Sequence, residues 1–229
     1  MKNAILVSMV VLSGCGGAGV TLAFQNGKTG VSTQGLNARA PTSLGLKLLA
    51  VYLSEDVDPQ SQNNTGATEM IWLHPDCQDD ISHCELGAGT NPQDGQPYTH
   101  FVGTYFDFAQ STANVNAALA AQARSIAPGT YRYARLEFCK GNPSHANNLK
   151  WSVDGENFFE GETGGCGVTS AAMNPGLVVN SGDQVVVTLA YDLSSAVTEA
   201  PGAGAMPSNC STAGCLQVPA FVPTASVPR

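Results

Sequence analysis

Between residues 45 and 191 the chain keeps switching between short β-prone runs and clusters of turn residues, and this rhythm decides the fold class. The first run, residues 45–53 (GLKLLAVYL), puts Leu46, Leu48, Ala50 and Tyr52 on one face and Leu49, Val51 and Leu53 on the other. Apolar residues on both faces predict a central strand. Residues 69–73 (EMIWL), 98–108 (YTHFVGTYFDF) and 130–139 (TYRYARLEFC) read as further strands. In the last of these, Ala134, Leu136 and Phe138 share one face, while Tyr131, Tyr133, Arg135 and Glu137 take the other. Residues 150–159 (KWSVDGENFF) predict a hairpin, because Asp154-Gly155 favours a two-residue type I′ turn. Residues 176–179 and 184–191 (QVVVTLAY) flank the turn Asn180-Ser181-Gly182-Asp183.

Helical spacing occurs in one place, residues 114–126 (NVNAALAAQARSI), through Val115, Leu119, Ala123 and Ile126, and Pro128-Gly129 ends it. Residues 216–222 (LQVPAFV) predict an edge strand, since Pro219 cannot sit in a central one. About eight strands and one short helix give an all-β expectation: an antiparallel β-sandwich of immunoglobulin- or transthyretin-like type, stapled by disulfides, over residues 45–193. Residues 194–229 are a Pro-, Gly- and Ala-rich C-terminal segment, expected to supply an edge strand.

The staples come from cysteine arithmetic. Apart from Cys15 there are six cysteines: Cys77, Cys84, Cys139, Cys166, Cys210 and Cys215. Six allow about 15 pairings. The expected pairing is sequential, Cys77–Cys84, Cys139–Cys166 and Cys210–Cys215. Two of these close short loops, which gain less than the ~3 kcal/mol of a 15-residue loop. Such use of cysteine fits an oxidising compartment.

The N-terminus supports that compartment. Met1, Lys2 and Asn3 open the chain, residues 4–12 (AILVSMVVL) are apolar, and Ser13-Gly14-Cys15 follows at once. This is the layout of a secretory signal with a cationic start, an apolar stretch and a small-residue cleavage site. An apolar stretch of nine residues is about half of the ~20 that a membrane span needs. The motif Leu12-Ser13-Gly14-Cys15 resembles the lipobox of bacterial lipoproteins. The resemblance covers about the first 16 residues. It implies a signal peptide over residues 1–14, its removal, and acylation of Cys15 (palmitate among the chains). Gly16 would stand second in the mature chain, with no Asp there, which by the same resemblance implies the outer membrane. One acyl chain binds a bilayer marginally, while two or more hold stably. Residues 15–44, rich in Gly, Thr, Asn, Gln and Ser, are expected to form the lipidated cysteine and a flexible tether, with a short strand near residues 20–24. A second, weaker resemblance lies in SIAPGTYRYARLEF, which is similar to secreted bacterial lipoprotein domains of unknown function.

The net charge of −8 disfavours nucleic acid as a partner, because the phosphate backbone repels an acidic surface. The expected partners are a membrane, through the lipid, and an unidentified protein or glycan ligand.

For chemistry, the segment HPDCQDDISHCE gathers His74, Cys77, His83 and Cys84 with Asp76, Asp79, Asp80 and Glu85. Zinc ligands more often come as cysteines two to four apart. Here they are seven apart and His83 abuts Cys84, so a disulfide-closed loop is the expectation. Asp56 and Asp58, with Glu55, lie in an oxygen-rich loop, but the Gly and Glu of an EF-hand are missing from the required places, which hold Ser61 and Ala67. Asp56, Asp58, Asp76, Asp79 and Asp80 remain weak candidates for an irregular calcium site, and no other cofactor is expected. There is no G-x-S-x-G, no H-E-x-x-H and no P-loop. An enzyme is therefore not expected. The function expected is a non-catalytic binding or structural role in the cell envelope. The alternatives are a fimbrial or adhesin-type assembly subunit, with Arg39 as a processing point, and a calcium- or carbohydrate-binding module or envelope hydrolase.

Overall fold

The computed structural model describes residues 17–27, 38–58, 63–90, 95, 97–119, 124–138, 149–161, 169–198, 210–211, 214–217 and 219–228. These residues form seventeen short strands, one 3-10 turn and one helix. The fold is all-β and sandwich-like.

The first principal sheet is built from β1 (Ala18–Asn26), β8 (Arg124–Ile126), β13 (Gln184–Tyr191) and β17 (Val222–Ser226), in the order β17-β13-β1-β8. The second contains β3 (Ala50–Val57), β4 (Asn64–Leu73), β9 (Gly129–Glu137) and β12 (Thr169–Val179), in the order β12-β9-β3-β4. A smaller sheet of β11 (Phe159–Gly161), β10 (Leu149–Ser152), β2 (Ser43–Leu46) and β7 (Phe106–Asp107) joins them. Two minor pairings complete the set: β5 (Leu86–Thr90) with β6 (Pro97–Phe101), and β14 (Val197–Thr198) and β15 (Cys210–Ser211) flanking β16 (Gly214–Leu216).

Strict alternation builds β13. Val185, Val187, Leu189 and Tyr191 are buried, and their neighbours are half-buried or exposed. In β9, Ala134 and Leu136 face inward, as does Phe138 just beyond it. Tyr131 is buried too, and its hydroxyl donates to the Ala127 carbonyl at 2.8 Å. The inward side chains of the sheets meet in one core. Phe24, Phe108, Tyr191 and Phe221 interlock within it, with ring centroids 5.4–6.2 Å apart. Phe221, just ahead of β17, makes the C-terminal segment part of that core.

Several expectations need correction, the run 45–53 among them: it divides between β2, which ends at Leu46, and β3, which begins at Ala50. The tether over residues 15–44 is interrupted, because Ala18–Asn26 is a nine-residue strand and β2 begins at Ser43. The reason is the spacing of Ala18, Val20 and Phe24, all buried, on one face of β1. β1 also pairs in parallel with β13, from Gly19 opposite Gln184 to Asn26 opposite Tyr191; every other strand pairing is antiparallel. The helix α1 spans Thr112–Ala118 only. Ile126 sits instead on β8, opposite Ala18. Residues 98–108 split into β6 and β7. The turn expected at Asp154-Gly155 is a longer loop between β10 and β11: Asp154 Oδ1 accepts from the N–H groups of Glu156 and Asn157, and Gly155 adopts φ +80°. The edge strand near the C-terminus is β17, with Pro223 in the outermost position of its sheet, where the missing N–H is tolerated.

Candidate functional site

Most of the chemistry-bearing residues singled out in the sequence lie in the segment that follows β4. Trp72 and Leu73 end that strand in the core, and His74 follows them inward, fully buried. Its ring lies against Phe101 and Phe106, with centroids 4.9 Å away in each case. Both ring nitrogens are engaged. Nδ1 accepts from the Asp76 N–H at 3.0 Å, and Nε2 lies 3.0 Å from the Thr104 carbonyl. A carbonyl can only accept, so Nε2 carries the proton and the ring is the neutral tautomer. Burial holds the His74 pKa below its usual value, against opposing pulls from the Thr104 carbonyl and Asp76.

Asp76 closes the same knot. Its Oδ2 accepts from the Thr104 N–H at 2.9 Å and from the Thr104 hydroxyl at 3.0 Å. Burial pushes its carboxyl up, but those two hydrogen bonds and His74 outweigh it and leave the pKa lowered. Beyond Asp76 the chain loops out and returns through the 3-10 turn Ile81–His83. Asp80 caps that turn, its Oδ1 accepting from the Ser82 N–H at 2.7 Å. Asp79 contacts His83 Nδ1, four residues on. The Cys77–Cys84 disulfide closes the loop, and both cysteines are buried against Leu49, Leu73 and Phe101.

Beside this knot lies Lys47, a charged residue inside the run GLKLLAVYL. It is only 7% exposed. Its Nζ donates to the Phe101 carbonyl at 3.0 Å and sits 4.7 Å from the centre of the Tyr105 ring. Desolvation lowers its pKa, with Glu160 pulling the other way, and burial raises the Tyr105 hydroxyl to about 12. Lys47 and Thr104 were not among the residues chosen from sequence. The available signal for Lys47 is a lone cation within an otherwise apolar nine-residue run.

The remaining candidates are scattered. Asp56 Oδ1 accepts from the Val57 N–H at 2.8 Å, and Asp58 N–H donates to the Asn63 carbonyl at 2.9 Å, both at the β3–β4 hairpin. That hairpin lies at the opposite end of the strand pair from His74. Among the described residues, no group of three His, Cys, Asp or Glu side chains is placed to hold a metal ion. Cys210–Cys215 is bonded at 2.05 Å, across the β15–β16 pair. Cys15, Cys139 and Cys166 lie outside the described residues.

Two other features lie at the surface. An open cleft of about 330 Å³ lies where β1 ends, lined by Asn26, Gly27, Pro41, Ala109, Asp192 and Leu193, among others. Phe158 is 43% exposed, with the Lys150 Nζ 4.9 Å from its ring centre, whereas Trp72 and Trp151 are both buried.

Fold and site together define a class: an all-β, sandwich-like domain whose polar knot at His74 is built inward and whose loop is closed by a disulfide. No protein-family model, no curated protein and no solved structure matches the chain.

Proposed function

We propose that this chain is a cell-envelope lipoprotein, acylated at Cys15 and attached to the outer membrane, with a non-catalytic binding or structural role. The observation that carries the reading is the lipobox-like Leu12-Ser13-Gly14-Cys15 behind an apolar stretch too short to span. Two disulfides in the folded domain support an oxidising compartment. The arrangement at His74 supports a structural rather than a catalytic use of that residue. Its ring is fully buried, and both nitrogens are engaged with the backbone, so neither is open to a substrate.

Mass spectrometry of the N-terminal peptide from the membrane-expressed protein tests the lipid. The expected result is a peptide beginning at Cys15 and heavier by a diacylglyceryl group and a third acyl chain. An unmodified Cys15, or a retained Met1, contradicts it.

A second reading, an assembly subunit, draws support from the placement of β1. This N-terminal strand lies between β8 and β13. The chain after it runs through residues 28–37 to Arg39, an exposed residue that bridges Val197. Cutting the chain near Arg39 would free β1 to leave, and would open a strand-sized slot between β8 and β13 for another copy's strand. Limited trypsin digestion followed by size-exclusion chromatography tests this. Nicking, loss of the 18–26 peptide and higher oligomers support assembly. A nicked chain that keeps β1 and stays monomeric excludes it.

A further inference from the structure

We propose that the domain sits directly on the bilayer, with the end of the sandwich that carries the start of β1 against a neutral, zwitterionic lipid headgroup surface. The inference rests on the acylation of Cys15 and adds an orientation to it.

The argument begins with chain length. Only Gly16 and Gly17 separate Cys15 from the first residue of β1. An extended chain spans at most about 3.6 Å per residue, so Cys15 and Ala18 can be no more than about 11 Å apart. That is comparable to the ~10 Å spacing of two stacked sheets, so the start of β1 stays within one layer spacing of the headgroups.

Slack cannot easily be gained by peeling β1 away. Ala18 is fully buried, opposite Ile126 on β8. Gly19 N–H donates to the Asp183 carbonyl at 2.9 Å, on the other side of the strand. Val20 and Phe24 are buried further along. Freeing even the first three residues of this strand exposes core side chains and ladder hydrogen bonds together.

The topology says what faces the lipid. β13 runs parallel to β1, so the turn before it, residues 180–183, lies at the same end. β8 runs antiparallel and passes at that end through Ala127 and Pro128 into β9. These two crossings between the main sheets are small and almost uncharged. Ala127, Pro128, Asn180, Ser181 and Gly182 are exposed. The carboxylate of Asp183 is occupied, with Oδ2 accepting from the Asn180 N–H at 2.8 Å. Val178, one residue short of the end of β12, is 59% exposed, a large apolar side chain left at the surface beside the crossings. The β3–β4 hairpin, with Glu55, Asp56 and Asp58, points the same way, because Ser54 pairs with Tyr133 and β9 starts at this end. Three carboxylates at the rim would repel anionic lipid, which is why the fitting surface is zwitterionic. The opposite end, with the cleft near Gly27 and Asp192 and the loop closed by Cys77–Cys84, then faces away from the membrane.

The test uses the full acylated chain in phosphatidylcholine vesicles containing a headgroup-nitroxide lipid. Tryptophan is introduced at the near end (S181W, and separately A127W) and at the far end (S194W); the buried Trp72 and Trp151 set the background. At least twofold stronger quenching of S181W and A127W than of S194W is expected, with circular dichroism unchanged in all three. Equal quenching at the two ends, or stronger quenching of S194W, overturns the orientation while leaving the acylation standing. Intact mass on the same samples separates the two failures. Protein recovered from cell membranes without acyl chains overturns the orientation and the lipoprotein reading together.

Discussion

Asn116 holds the backbone of Phe24 from outside the sheet. The Phe24 N–H donates to Asn116 Oδ1 at 2.6 Å, and Asn116 Nδ2 donates to the Phe24 carbonyl at 2.8 Å. Among the described residues, β8 pairs with β1 from Ala18 to Val20. Past that point one amide side chain on α1 does the work of a neighbouring strand, and Thr112 Oγ1 assists by accepting from the Asn26 N–H at 3.3 Å. The helix thus caps the backbone of β1 at Phe24 and Asn26. Asn116→Ala should lower stability by about 2 kcal/mol, the cost of leaving such groups without partners. Urea unfolding measures it; an unchanged midpoint would show that water replaces the side chain.

Tyr131 fastens the crossing from the first sheet to the second through its bond to the Ala127 carbonyl. Tyr131→Phe removes that bond and keeps the ring in the core. A loss of about 1 kcal/mol is expected, with unaltered secondary structure. The reading is again the urea midpoint, with circular dichroism as the control.

Stability should fall as pH falls below neutrality. Unfolded, His74 titrates near 6.5; in the fold, burial lowers its pKa. The unfolded chain thus takes up the proton first. The contribution of neutral His74 is complete above about pH 6.5 and is lost as pH drops from there through the folded value. His100 is shifted in the same direction, by burial and then by Lys47. A urea midpoint lower at pH 5.5 than at pH 7.5 is expected, and His74→Gln should shrink the difference.

The Cys77–Cys84 bridge closes a loop of eight residues over the small core of Leu49, Leu73 and Phe101. The chain-entropy account gives about 2 kcal/mol for a loop of that size. C77A/C84A should lose that much while retaining the β-sheet signal, because the principal sheets form outside the loop. Collapse of the whole fold would show that the loop supports more than itself.

Strands with clean alternation are legible in the sequence. β13 and the inward face of β9 stand where their apolar periods put them, and the two short-range disulfides join cysteines that are neighbours in the chain. The least legible part is β1. Its apolar residues, Ala18, Val20, Leu22 and Phe24, do alternate, but Gly, Thr and Gln surround them, and its partners β8 and β13 lie more than a hundred residues away. Helix length is misread for a related reason. Ile126 continues the helical spacing, yet a strand position opposite Ala18 claims it. The knot at His74 is half legible. The sequence exposes the cluster of His, Asp and Cys but not its direction, which is set by Thr104 and Phe101 from a distant strand and loop.

The whole account turns on β1 as the link between the proposed anchor at Cys15 and the core. Hydrogen–deuterium exchange of the acylated protein tests it most directly. Amides from Val20 to Phe24 should exchange as slowly as those from Val187 to Leu189 on the adjoining strand. Exchange of residues 18–26 within seconds, while β13 stays protected, would contradict it and leave a loose linker where a central strand is described.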